Sequence, residues 1–258
     1  MEQTLSIPDD LLQDDNHPQD IALPVEIPAL PISSAPQYTI YRLVKHLGVK
    51  SILEIGTQSG ASPVAMALAL RDNHLPIDIT CVDPFLPTGD NDGLSTLTDW
   101  YKNVYGSGFK AGVQLLVTTS AQVLPILGRS FDFVFVDGSH LYRDVKEDCL
   151  LSLLLLEVGG WFLVHDYVVY ESVRRACDEI VAEFCLPHSV NSIQRNYRGE
   201  LCGWMIARKN RALSIEEIHR QLGMNLRKRD WETRLAPAKR RIPPAAKRTL
   251  RRFLKLFR

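Results

Sequence analysis

Phe131-Asp132-Phe133-Val134-Phe135-Val136-Asp137-Gly138-Ser139-His140 runs from an aromatic, β-branched stretch into an acid, a glycine and a histidine. An earlier stretch has the same grammar: Leu53-Glu54-Ile55-Gly56-Thr57-Gln58-Ser59-Gly60. A short apolar run of this kind is what a parallel strand covered on both faces requires. Its polar end then lies on the edge of the sheet, where open α/β sheets bind ligands. Two such ends with different chemistry imply a site for a charged small molecule.

Working outward, strands are predicted at Ser51–Ile55, Ile77–Val82, Val113–Thr118, Phe131–Val136, Trp161–Val164, Ser189–Gln194 and Leu201–Ala207. Helices are predicted over 38–47, from Ser62-Pro63 to Arg71, over 121–127, 142–156 and 171–184. Ser62 reads as an N-cap with Pro63 at the first helical position. Alternating strands and helices give a parallel sheet with helices on both faces. The last two strands have no helix between them and pair antiparallel. The fold expected is therefore α/β and Rossmann-like. Residues 86–112 interrupt the rhythm, and 94–104 read as a short helix carrying Trp100 and Tyr101, taken as a lid in preference to a surface helix with its aromatics in the core.

The chain is read as an acidic, proline-rich arm (1–36), an α/β domain (37–210), a helical extension (211–236) and a basic amphipathic tail (237–258). Net charge is zero, yet residues 1–37 hold seven acids without Lys or Arg, and 237–258 hold nine Lys/Arg without an acid. No uninterrupted apolar run is long enough for a membrane span, and no basic-then-apolar leader opens the sequence. Five cysteines without metal-type spacing read as free thiols in a reducing cytoplasm.

Gly56 and Gly60 let the backbone turn sharply beside a ligand. Position 58 is Gln where a dinucleotide motif wants glycine, so a smaller anion such as a carboxylate suits the loop better than a pyrophosphate. Asp83 ends the second strand, where an acid accepts from both ribose hydroxyls; its competing role is a turn-forming Asp before Pro84. Ser120 and Ala121 flank the base. Asp137 and Asp166 end the fourth and fifth strands and repel unless something positive lies between them. A divalent ion such as Mg²⁺ is the economical answer. The alternative is that Asp137 caps a helix and Asp166 orients a histidine. His140 is the first candidate general base and His165 the second.

Glu54-x-Gly56-x-x-x-Gly60, Asp83, Val136-Asp137-Gly138-Ser139-His140-x-Tyr142, Gly159-Gly160 and His165-Asp166-Tyr167 together resemble class I S-adenosylmethionine-dependent methyltransferases. The closer resemblance is to the catechol, macrocin and cephalosporin-cluster O-methyltransferases, over residues 37–208. It implies a seven-stranded sheet with an antiparallel last strand. It implies Gly56, Thr57, Gly60 and Ser62 around the methionine part of the cofactor, Asp83 on the ribose, and Ser120 and Ala121 on the adenine. The full cofactor set is these together with Glu54 and Asp137. Asp137 and Asp166 are the metal ligands it implies, and His140 stands where catechol-type relatives carry a lysine base. Tyr167 departs from the pattern, since relatives often have Asn or Asp there. Tyr142 and Tyr167 are read as lining the acceptor pocket.

The expected activity is O-methylation of a hydroxyl on a sugar, glycan or natural-product intermediate. The rivals are a nicotinamide-dependent oxidoreductase and a non-catalytic S-adenosylmethionine-binding module. Residues 244–258 read as a basic amphipathic helix suited to an anionic membrane surface; docking on the acidic arm ranks second and nucleic acid third. Residues 214–235 read as a helix that packs on the domain or supports a homodimer. The location that follows is cytoplasmic, peripheral on the inner membrane face.

Overall fold

A computed structural model describes residues 35–87, 93–195 and 201–223. The arm before residue 35 and the basic tail lie outside the described residues, as does the extension beyond 223. Helix α1 (Ala35–Leu47) leads into strand β1 (Ile52–Ile55), helix α2 (Ala61–Asp72), β2 (Ile79–Asp83), α3 (Gly93–Gly106), β3 (Val113–Val117), the short α4 (Ser120–Val123) and β4 (Phe131–Val136). Then follow α5 (Tyr142–Leu155), β5 (Leu156–Val164), α6 (Glu171–Phe184), β6 (His188–Arg195), β7 (Leu201–Arg208) and α7 (Ile215–Gln221).

The strands form one seven-stranded sheet in the order β3-β2-β1-β4-β5-β7-β6. Strands β1 to β5 run parallel, and β7 pairs antiparallel with both β5 and β6. The expected fold class is borne out. Each face carries its own apolar core. Phe133 and Phe135 point into the side covered by α1 and α2, and Val134 and Val136 into the side covered by α5 and α6. Opposite faces for successive residues is the strand period of two, and it explains why β4 reads as an unbroken apolar run. Each fully buried side chain of this size contributes about 1.5–3 kcal/mol.

The chain leaves β1 towards β2 on one side and returns to its other side as β4, so strand order reverses at β1. Ligands bind at such a reversal. Ile55 pairs with Val82 on one side and Val136 on the other. The next residue of each strand is Gly56, Asp83 and Asp137, so these three lie side by side on one rim.

Two local readings are corrected. Helix α2 is capped by Gly60 in the left-handed region at φ 84°, not by Ser62, which lies inside the first turn. Strand β5 begins at Leu156 rather than Trp161 and takes Gly159 and Gly160 into the strand. Lys209 explains the abrupt end of α5. Its buried ammonium donates to the carbonyls of Leu153 and Leu156, the bare C-terminal end of that helix. Burial holds its amine down, at about 8. Cys81, Cys149, Cys177 and Cys185 are all free thiols. No helix among the described residues is long and apolar enough to cross a membrane.

Candidate active site

The rim has a glycine-loop side and an acid–histidine side. On the first, Gly56 is at φ 82°, and a Cβ there would lie 2.2 Å from the Asp137 carbonyl oxygen. Only glycine lets β1 pass so close to β4. Gln58 also adopts positive φ, 45°, a strained choice for a side-chain-bearing residue and one that clusters at functional sites.

Asp83 holds this loop. Its Oδ2 accepts from the backbone N–H groups of Thr57 at 3.0 Å and Gln58 at 2.9 Å, and its Oδ1 accepts from Phe85 N–H at 2.7 Å. A carboxylate offers about four acceptor positions. Three are taken, which leaves capacity for one ribose hydroxyl rather than the two expected, unless the loop amides let go.

Beneath the loop lies a buried polar network. Glu54 accepts from Ser62 Oγ, and the Thr57 side chain lies beside its carboxyl. Thr57 Oγ1 in turn accepts from the Trp100 indole Nε1 at 2.9 Å. The hydroxyls of Thr57 and Ser62 are therefore engaged within the scaffold, and what they turn towards a ligand is loop backbone. Burial pushes the Glu54 carboxyl up to about 7, with the bonds from Ser62, Thr57 and Cys81 pulling it part of the way back. Ser120 Oγ donates to Asp148 on α5, and burial pushes that carboxyl to about 7 as well.

On the acid–histidine side two imidazoles interleave with two carboxylates. His165 Nδ1 lies 3.0 Å from Asp137 Oδ1 and 3.4 Å from Asp166 Oδ1. His140 Nε2 lies 2.9 Å from Asp166 Oδ2. Burial alone would raise the Asp166 carboxyl, but the bonds from His140 and His165 outweigh it and hold the group well below the usual carboxylate range. Asp166 also occupies the left-handed region at φ 59°. The His140 ring stacks on Tyr170 with centroids 3.9 Å apart and planes 11° from parallel, and its carbonyl accepts from Ser172 Oγ at 2.6 Å.

Residues 53–167 match the family described as "Methyltransferase domain". This stretch, from β1 to just past β5, is similar to that domain. An uncharacterised protein of Acanthamoeba polyphaga mimivirus is 28% identical over 139 residues, 51% of this chain and 59% of the relative. The match thus spans about three-fifths of that curated relative's length. Among solved structures, the O-methyltransferase TomG from Streptomyces achromogenes, in complex with SAM, aligns with a TM-score of 0.57 at 21% identity, covering 71% of this chain and 83% of TomG. An O-methyltransferase from Bacillus cereus in complex with SAH aligns at 0.56 and 18%, covering 71% and 84%. A putative O-methyltransferase from Klebsiella pneumoniae aligns at 0.55 and 21%, covering 73% and 85%. At these identities the structural likeness establishes the fold. The resemblance read from the sequence is borne out in domain and architecture.

Three side-chain readings are corrected by the contacts around the rim. Tyr142 donates to Glu179 at 2.5 Å and Tyr167 to Asp178 at 2.6 Å, both on α6. Their hydroxyls tie α5 and the loop after β5 to α6 instead of facing an acceptor. Trp100 is fully buried, so α3 is a fixed wall and not a lid closed by its tryptophan.

The group between the two carboxylates is the His165 imidazole. Asp137, His165 and Asp166 each offer one ligand atom, all within 4.8 Å of one another. Two carboxylate oxygens and one imidazole nitrogen suit a divalent ion that accepts nitrogen, such as Mn²⁺, better than the oxygen-only preference of Mg²⁺.

Sequence reasoning missed Asp148, Tyr170 and Asn103. Asp148 follows Lys146-Glu147 and looks like part of a solvated run. Tyr170 is three residues beyond the last motif. Asn103 sits in the helix read as a lid, with no local cue that its face is buried.

Proposed function

We propose that this chain transfers the methyl group of S-adenosylmethionine to a hydroxyl oxygen. The observation that carries the reading is the His140–Asp166 pair beside the rim of Gly56, Asp83 and Asp137. With Nε2–H donated to Asp166, His140 keeps Nδ1 as its basic nitrogen, an orientation fixed by a carboxylate as in other histidine bases. The acceptor hydroxyl loses its proton to His140. Its oxygen attacks the sulfonium methyl in line, a C–O bond forms, and the S–CH₃ electron pair returns to sulfur to leave S-adenosylhomocysteine. The protein's share of the work is alignment and proton removal. Asp166, held ionised, stabilises the imidazolium that results.

A divalent ion would be held by Asp137, His165 and Asp166 and would lower the pKa of a hydroxyl bound to it. The acceptor class we favour is a sugar, glycan or natural-product ring. Exposed Leu141, Val169 and Tyr170 beside His140 give the apolar face of such a ring a surface to lie on. Attachment of residues 244–258 to anionic membrane is part of the proposal. Co-sedimentation of the full chain with anionic liposomes, lost on truncation before Pro243, tests it; equal sedimentation of both chains rejects it.

The test of the activity is labelled-methyl transfer from S-adenosylmethionine to a panel of phenolic, sugar and amine acceptors. Label in an O-methyl ether, lost in His140→Ala, supports the proposal. Label confined to amines, or unchanged turnover in His140→Ala, rejects it.

A further inference from the structure

We infer that helix α3 positions the cofactor loop, through Trp100 and Asn103, and so sets cofactor affinity. This rests on the reading that the loop from Gly56 to Gly60 holds S-adenosylmethionine. The loop has unusual geometry, with positive φ at Gly56, Gln58 and Gly60. Backbone of this kind persists only where its surroundings over-determine it. Asp83 fixes the loop from one side through Thr57 and Gln58. Within the β1–α2 segment Gly60 N–H closes a turn onto the Thr57 carbonyl at 2.8 Å, and a neighbouring element grips the other side.

Helix α3 does so by three contacts. Trp100 Nε1 donates to Thr57 Oγ1 at 2.9 Å. Asn103 Nδ2 donates to the Ser59 carbonyl at 2.7 Å. The Trp100 ring and Val104 close over Gly60, where a Cβ would come within 2.9 Å of Trp100 and 3.0 Å of Val104. Trp100 and Asn103 are both wholly buried; the Trp100–Thr57 bond is shielded from water, where such bonds are strongest, and the Asn103–Ser59 bond is partly so. Thr57, which holds the indole, lies beside Glu54 beneath the loop. The loop is thus gripped between Asp83 and α3, and the amides that meet the cofactor are pre-set before it arrives. Pre-setting a loop removes an ordering cost from binding.

Asn103 is telling because its Oδ1 finds no hydrogen-bond partner among the described residues. A buried orphan acceptor is a cost to folding. Replacing Asn103 by the similarly sized Leu removes that cost together with the bond to Ser59. A purely structural role predicts a neutral or stabilising change, whereas a positioning role predicts a loss of cofactor affinity.

The test is calorimetric titration of S-adenosylhomocysteine into the full chain and its variants. Asn103→Leu and Trp100→Phe should each raise Kd by roughly 3- to 10-fold, the value of one hydrogen bond. Thr57→Val should weaken binding as well, and Trp100→Phe added to it should cost nothing more, because its partner is already gone. Wild-type affinity in both Asn103→Leu and Trp100→Phe overturns the inference. So does a Trp100→Phe penalty that is the same in the wild-type and Thr57→Val backgrounds, which would mean that Trp100 acts by packing alone. Should Trp100→Phe fail to fold, Asn103→Leu decides. If the wild-type chain takes no S-adenosylhomocysteine, it is the cofactor reading that fails; if wild type binds and the variants bind equally well, this inference alone fails.

Discussion

Glu54→Gln removes an ionisable group from the floor of the rim. The native side chain is wholly buried, and desolvation pushes its carboxyl from 4.5 up to about 7 despite the bonds from Ser62, Thr57 and Cys81. Between those two values the folded chain keeps a proton that the unfolded chain has lost. Stability therefore falls as pH rises from 4.5 to about 7 and stays low above it. The gap corresponds to about 3 kcal/mol at ~1.4 kcal/mol per pH unit. Glutamine keeps an acceptor for Ser62 and does not titrate. Urea unfolding at about pH 5 and about pH 8 measures the effect. The stability of Glu54→Gln relative to wild type should be higher at the upper pH than at the lower by about 2–3 kcal/mol. Asp148, also raised to about 7 by burial, titrates in both proteins and cancels in the difference. A relative stability flat to within about 0.5 kcal/mol between the two pH values refutes the claim that an ionisable Glu54 is buried at a cost.

Gly56→Ala forces a Cβ to within 2.2 Å of the Asp137 carbonyl at positive φ; a loss on the order of 3 kcal/mol should lower the melting temperature by roughly 5–10 °C, and an unchanged melting curve would mean that β1 and β4 are not so close. His140→Gln should cut kcat by about 10²- to 10⁴-fold while S-adenosylhomocysteine affinity stays within roughly twofold, and a large loss of affinity instead would reassign His140 to cofactor binding. Exhaustive chelation should lower turnover, with Mn²⁺ restoring it better than Mg²⁺. His165→Asp makes the donor set all-oxygen and should shift that preference towards Mg²⁺; turnover indifferent to chelator removes the metal from the proposal.

The sheet was legible because its strands are covered on both faces, which leaves a plain apolar signature such as Phe133 to Val136. The rim was legible because Gly56, Asp83 and Asp137 each stand at the end of a strand, so register brings them together without knowledge of the side chains. Side-chain direction was not legible. Ser62 reads as an N-cap from its place before Pro63, but the left-handed Gly60 starts the helix two residues earlier and turns Ser62 inward to Glu54. Tyr167 reads as a pocket residue from its place after Asp166, yet Asp178, more than one helical turn into α6, claims its hydroxyl. The role of α3 was hidden for the same reason. Its contacts to Thr57 and Ser59 span 43 and 44 residues, a separation that no local pattern encodes. His165 was ranked behind His140 as a base, and its place between the two carboxylates depends on the approach of β4 and β5, which spacing alone does not give.

An experimental structure with S-adenosylhomocysteine bound tests the central claim most directly. The account predicts the ribose on Asp83, the homocysteine portion along the loop from Gly56 to Gly60, and the sulfur facing the His140–Asp166 pair. A nucleoside bound at any other edge of the sheet, or a sulfur turned away from those two residues, would contradict it.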